Sequence, residues 1–161
     1  MNDETETLAP VTVGGGREQV LDDSARAGAE PAAEPRVQPA AERAAATLDV
    51  VRRYHRAWTS KDFAQAGRCL ATELATEVPL RTYESREHFL EALTGFGGLV
   101  AAVDVLAEFS RGDEAMLLYD MDVERIGTLR VAEHFTVADG RITRIRHVHD
   151  TAALRDAGFA G

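Results

Sequence analysis

The sequence predicts an α+β domain, with helices first and a mostly antiparallel sheet last, the helices covering one face of the sheet. Three observations predict it. Apolar side chains recur at three- and four-residue steps from Leu48 to Trp58, which is helical spacing. After Leu99 the pattern shifts toward alternation, the period of a half-buried strand. Turn residues then punctuate the second half at Arg111-Gly112-Asp113, Gly127 and Ala138-Asp139-Gly140.

The chain has 161 residues, 45% of them hydrophobic, enough for one globular core and an extension. Every aromatic residue stands at or after Tyr54, whereas Pro10, Pro31, Pro35 and Pro39 all precede it among Ala, Glu and Gly14-Gly15-Gly16. Such a segment has too little apolar area to offset the entropy of ordering. Residues 1–44 are therefore expected to be a disordered extension and residues 45–161 the folded domain, with the Ala-rich stretch before Thr47 a helix former. A net charge of -9 argues against a nucleic-acid partner, which needs a basic face. The lone Cys69 excludes an internal disulfide and reads as a small core residue. The first residues lack the basic-then-apolar plan of a signal peptide, and no apolar run approaches the ~20 residues of a membrane span. The expected location is cytoplasmic, with no membrane contact.

Each element follows in order. Leu48, Val51, Tyr54, His55 and Trp58 form one stripe of an opening helix. Ser60 is placed to cap a second helix, KDFAQAGRCL, with Phe63, Ala66 and Leu70 inward. A short strand is expected around ATEVPL. Ser85 caps a third helix that turns Phe89, Leu90, Leu93 and Phe96 inward and ends at Gly97-Gly98. Strands are expected at 100–109, 114–124, 128–137 and 141–149, with Asp120 and Asp122 on the outer face.

The closing hairpin, VAEHFTVADGRITRIRHVHD, decides which ionisable groups face inward. A three-residue turn at Ala138-Asp139-Gly140 sets Val137 opposite Arg141, Phe135 opposite Thr143 and Glu133 opposite Ile145. One face then carries Leu129, Val131, Glu133, Phe135, Ile145, His147 and His149. It is the apolar face and should look toward the helices, with His134 outward. A two-residue turn would mix apolar and charged residues on both faces. Glu133 and His147 become diagonal neighbours. A carboxylate among apolar side chains is costly unless it is paired or faces a wet cavity, so the three inward ionisable groups indicate a polar pocket.

These segments resemble the nuclear transport factor 2-like superfamily, in particular its SnoaL-like branch. The resemblance covers about residues 47–155 and rests on VVRRYHRAWTSKDF, SREHFLEAL and the closing hairpin. It implies a cone, a curved sheet wrapped over three helices around an apolar cavity. Members include ketosteroid isomerase, scytalone dehydratase, limonene-epoxide hydrolase and polyketide cyclases, alongside non-catalytic binding domains. Tyr54 matches the oxyanion-stabilising tyrosine of the isomerases and Glu133 their second oxyanion-hole acid. Their general-base aspartate would fall near Val78 and is missing, and Glu77 points the other way. His147 falls near a catalytic aspartate of the epoxide hydrolases, whose Arg–Asp pair aligns instead with Tyr119 and Met121. Relatives commonly pair through the outer face of the sheet, so a homodimer is expected.

The leading expectation is a cofactor-free acid/base enzyme of isomerase, cyclase or lyase (dehydratase) type on a small apolar or aromatic, polyketide-like molecule. Glu133 and His147 would move protons and Tyr54 would hold a carbonyl or enolate oxygen. Trp58, His149, Phe135, Val131, Ile145 and Phe96 would wall the substrate. The rival is a ligand-binding or dimerisation module in which Glu133 and His147 only share a structural hydrogen bond. Glu133, His147 and His149 would make a two-histidine, one-carboxylate metal set, but no i, i+4 histidine pair or cysteine cluster supports one, and no metal is expected.

Overall fold

A computed structural model describes residues 39–83 and 85–159. The expected disorder of residues 1–38 lies outside the described residues. The opening helix begins at Ala40, the Ala-rich stretch before Thr47 being its first turns.

Helix α1 (Ala40–Thr59) buries Thr47, Val50, Val51, Tyr54, His55, Ala57 and Trp58, the expected stripe widened by its neighbours except that Leu48 is half-buried. Helix α2 (Phe63–Arg68) is shorter than expected, and its cap is Asp62, whose carboxylate accepts from Gln65 N at 2.9 Å, in place of Ser60. Between them Lys61 takes a left-handed φ of 66° and donates through Nζ to the carbonyls of Gly97 and Val100. Helix α3 (Arg86–Gly97) is capped by Ser85 as expected, with His88 N donating to Oγ at 3.2 Å. Gly67 lets α2 and α3 approach: a Cβ there would lie 3.0 Å from Leu90 Cδ1.

The strands are β1 (Leu70–Val78), β2 (Arg81–Tyr83), β3 (Val100–Arg111), β4 (Glu114–Val123), β5 (Gly127–Ala138) and β6 (Arg141–His149). They form one curved, unclosed sheet in the order β2-β1-β6-β5-β4-β3, antiparallel except where β1 runs parallel to β6. A short helix, α4 (Ala152–Asp156), follows β6. Neither β2 nor α4 was expected. Among the described residues no helix is long and apolar enough to cross a membrane.

The β5–β6 hairpin corrects the expected register while keeping the expected faces. Ala138 pairs with Arg141, so the turn is the two-residue Asp139-Gly140, both at positive φ (50° and 70°), a type I′ geometry. Such a turn alone would invert the facing of β6. A bulge restores it: Val137 pairs with Ile142 and Thr136 with Arg144, leaving Thr143 over, its hydroxyl donating to the Thr136 carbonyl at 3.2 Å. Phe135 then opposes Ile145, not Thr143, and Glu133 opposes His147, not Ile145. From Ile145 onward the inner face is as expected, with Val131, Phe135 and Ile145 fully enclosed; Ile142, which the three-residue turn would have set outward, is fully enclosed too because it pairs with Val137.

Candidate functional site

Between the inner sheet face, α1, α3 and the C-terminal segment lies a cavity of about 350 Å³, within the usual range for small-molecule sites. Tyr54 and Trp58 come from α1, where they are one helical turn apart. Helix α3 contributes Phe89, Leu93 and Phe96, and the β1–β2 turn contributes Val78, Pro79 and Leu80. Tyr119 and Met121 from β4, Glu133 from β5 and His147 and His149 from β6 make the sheet side. Leu154 and Phe159 close one end, and Phe159 meets Phe96 edge-on at 6.1 Å.

Among the described residues Glu133 is the one carboxyl in this lining, and it is 4% exposed. Burial pushes its pKa up to about 7, opposed by the Tyr119 hydroxyl, which donates to Oε2 at 3.0 Å. Tyr119 pairs across the sheet with Val131, so it is a diagonal neighbour of Glu133 and reaches the carboxyl along the inner face. Burial also holds the Tyr54 and Tyr119 phenols well above their usual range, with negative charge on Glu133 adding to it. Both phenols therefore stay neutral near pH 7.

His147 sits directly opposite Glu133, closer in register than expected, yet the two share no hydrogen bond. The expected Glu133–His147 pair is thus replaced by Glu133–Tyr119. The His147 Nε2 is enclosed and unpartnered, although the residue as a whole is only half-buried. Burial, with His149 adding to it, lowers its pKa to about 3. The two imidazoles stand edge to face, centroids 5.1 Å apart. His149 Nδ1 lies 2.8 Å from the Asp150 carbonyl, which can only accept, so the proton is on Nδ1.

Of the other expected wall residues, Trp58, Phe96 and His149 line the cavity. Phe135, Val131 and Ile145 do not; they are fully enclosed in the core, with Phe135 edge-on to Tyr54 at 5.9 Å. Val78 lines the cavity where the isomerases' base would stand, and Glu77 is exposed on the outer face, accepting from Arg146 Nε at 3.2 Å. Asp120 is outward as expected, paired with Arg130. Sequence reasoning missed Tyr119 as the partner of Glu133, along with Pro79, Leu80, Leu154 and Phe159. The signal for Tyr119 was its alternation with outward Asp120; for the turn it was Pro79, the one proline after Tyr54. Among the described residues no group of three or more His, Cys, Asp or Glu is arranged to hold a metal ion.

Comparison with known proteins agrees with this architecture. The SnoaL-like domain family matches residues 51–145. A crystal structure of a protein from Kribbella flavida DSM 17836 is 33% identical, with a TM-score of 0.67, covering 70% of this chain and 93% of that one. An NTF2-like protein of unknown function from Cytophaga hutchinsonii is 20% identical (TM-score 0.62; 68% and 94% covered). An LEH-like epoxide hydrolase from M. tuberculosis is 19% identical (TM-score 0.59; 70% and 89% covered), a likeness of fold. No curated protein matches the sequence. Helices under a curved sheet, a cavity at their junction and a family match through most of the folded part lead to one assignment: the chain belongs to the SnoaL-like domain family, on the NTF2-like fold.

Proposed function

We propose that this chain is a cofactor-independent acid/base enzyme of isomerase, cyclase or dehydratase type, acting on a small apolar or aromatic molecule. The observation that carries the reading is Glu133: a buried carboxyl at an apolar cavity, with a pKa near 7 and a phenol donating to it. Such a group exchanges a proton near neutral pH in either direction. Glu133 takes a proton from an acidified C–H or O–H of the substrate and returns it elsewhere. Tyr54 donates to the substrate oxygen on which negative charge develops. His147, neutral at working pH, supports a binding role more than a proton-moving one. Trp58 and Phe96 hold the substrate's apolar body.

One observation favours a second reading, a ligand-binding module of the same fold: Val78, near which the resemblance would put the isomerases' base, lines the cavity and cannot take a proton. The two readings separate in D2O. Cyclic ketones such as 2-tetralone, incubated with the protein, should gain deuterium at the α-carbon faster than in buffer, and Glu133→Gln should remove the excess. Saturable binding of the panel with no excess exchange would leave the module.

A homodimer through the outer sheet face is part of the proposal. Ala107, Leu118, Ala132 and Val148 are in register across four strands and make an apolar row on that face. Val148 is 64% exposed and Phe109, in the next row, 63%. Arg130, Arg144 and Arg146 against Asp120, Asp122 and Glu124 supply opposite charges for a two-fold contact, although Arg130 and Asp120 also pair within the chain. The net charge of -9 supports a protein without nucleic-acid partners, and the lone cysteine supports a cytoplasmic location.

A further inference from the structure

His55 belongs to no part of the cavity lining, yet it is 6% exposed and its Nε2 has no partner. Burial lowers its pKa to about 4, with Glu108 of β3 the charged group acting against that, so the ring is neutral. A buried nitrogen without a partner is costly, and an apolar side chain at this position of α1 would avoid the penalty. What the ring does touch is specific. It stands edge to face with Tyr119, centroids 4.9 Å apart at 65°, and with Trp58 at 5.3 Å and 83°. Trp58 in turn lies 6.4 Å from Tyr119. The body of Tyr119 is therefore held by two rings from α1, while its hydroxyl donates to Glu133.

We infer that His55 is a positioning residue: its ring, packed with Trp58 against Tyr119, fixes the phenol hydroxyl on the Glu133 carboxyl. The inference deepens the reading of Glu133 as the proton-transfer group, and it concerns the carboxyl's proton affinity, which can be read without substrate. The Tyr119 hydrogen bond stabilises the charged form of Glu133 and pulls its midpoint down against burial. With the His55 ring removed, Tyr119 can swing into the vacated space and its hydroxyl leaves the carboxyl. Besides Glu133 and Tyr119, the titratable groups lining the cavity among the described residues are Tyr54 of α1, His147 and His149 of β6 and, on β2, Tyr83 and Arg81. None of these touches His55 in an aromatic contact.

The test is the titration midpoint of the Glu133 side-chain carboxyl, followed by 13C NMR in the full chain. His55→Ala should raise it by about half a pH unit or more, in the same direction as Tyr119→Phe and by no more than that variant does. His55→Phe, which keeps a ring, should return it to within about 0.2 of the starting value. Combining His55→Ala with Tyr119→Phe should add nothing to Tyr119→Phe alone. Should His55→Ala fail to fold, His55→Val is read the same way. An unmoved midpoint in a folded His55→Ala or His55→Val protein would overturn the inference, as would full additivity with Tyr119→Phe or a His55→Phe shift equal to that of His55→Ala. Turnover that survives in Glu133→Gln would instead refute the acid/base reading and leave the midpoint result standing.

Discussion

The hydroxyl of Tyr119 donates to Glu133 Oε2 at 3.0 Å across the inner face of the sheet, and this is the hydrogen bond formed by the cavity's carboxyl. Two opposed effects therefore set its proton affinity: burial raises it and the phenol lowers it, with burial the larger. A carboxyl in that balance titrates where an acid/base catalyst is most useful.

Glu133→Gln keeps the shape and removes the titration. Turnover should fall about 10²-fold or more, the usual worth of a positioned acid/base group. Stability should change in a pH-dependent way. The folded pKa of about 7 lies above the ordinary 4.5, so Glu133 supports folding below pH 4.5 and that support is lost as pH rises through 7. At pH 8 the Gln variant should be more stable by about 3 kcal/mol, and near pH 4.5 the two should converge. Urea melts at both pH values check it; equal gaps would show that Glu133 is not buried as a carboxyl.

His147 contributes with the opposite sign. Its pKa falls from 6.5 to about 3 on folding, so its contribution is whole above pH 6.5 and is lost as pH drops toward 3. His147→Gln should flatten the acid side of the stability curve, on the order of a few kcal/mol by pH 4. Because the ring stays neutral at working pH, the same variant should reduce turnover less than Glu133→Gln. A larger loss than that of Glu133→Gln would make His147 the principal proton carrier.

Tyr54→Phe tests the oxygen-binding role. Loss of one hydrogen bond to developing charge should lower kcat about 10²-fold with KM little changed. Since Tyr54 is also a core residue packed on Phe135, the melting temperature has to be followed alongside. A rise in KM with kcat retained would place Tyr54 in ground-state binding instead.

The dimer is tested on its own row of residues. The wild-type chain should sediment as a dimer at tens of micromolar protein. Val148→Glu places a charge at the most exposed member of the apolar row and should give monomers with an unchanged circular dichroism spectrum. A monomer in the wild type removes the outer-face interface.

Much of this was legible in the sequence, and the misses have physical causes. Alternation alone told which side chains of the β5–β6 hairpin face inward, because a period of two survives any even shift of register. It could not tell partner from partner. Asp139 and Gly140 both accept positive φ, so the tighter turn was available, and the compensating bulge at Thr143 leaves no signature in the residue pattern. The Glu133–Tyr119 contact was hidden for a related reason: it joins β4 to β5, and alternation within each strand leaves open which residue of one stands beside which of the other. Strand β2 and helix α4 were hidden by their shortness, three and five residues giving no period to count.

Thr143 therefore carries the last test. It is the one residue of β6 without a partner on β5, and it alone reconciles a two-residue turn with an inward His147. Deleting Thr143 while leaving Asp139-Gly140 intact should let β6 pair without the bulge and keep every other pair, Val137 with Ile142, Thr136 with Arg144 and Glu133 with His147 included. Arg144 and Arg146 then stay outward and Ile145 and His147 inward, because the bulge takes up one residue and the deletion removes that same residue. The deletion variant should therefore fold with the wild-type facing and lose only the local bend that the bulge adds. Thr143→Ala, which removes only the hydroxyl bonded to Thr136, should cost about 1 kcal/mol. Circular dichroism melts check it: a Thr143 deletion that abolishes folding would mean that the bend, and not the residue count alone, is needed to bring the sheet over the cavity.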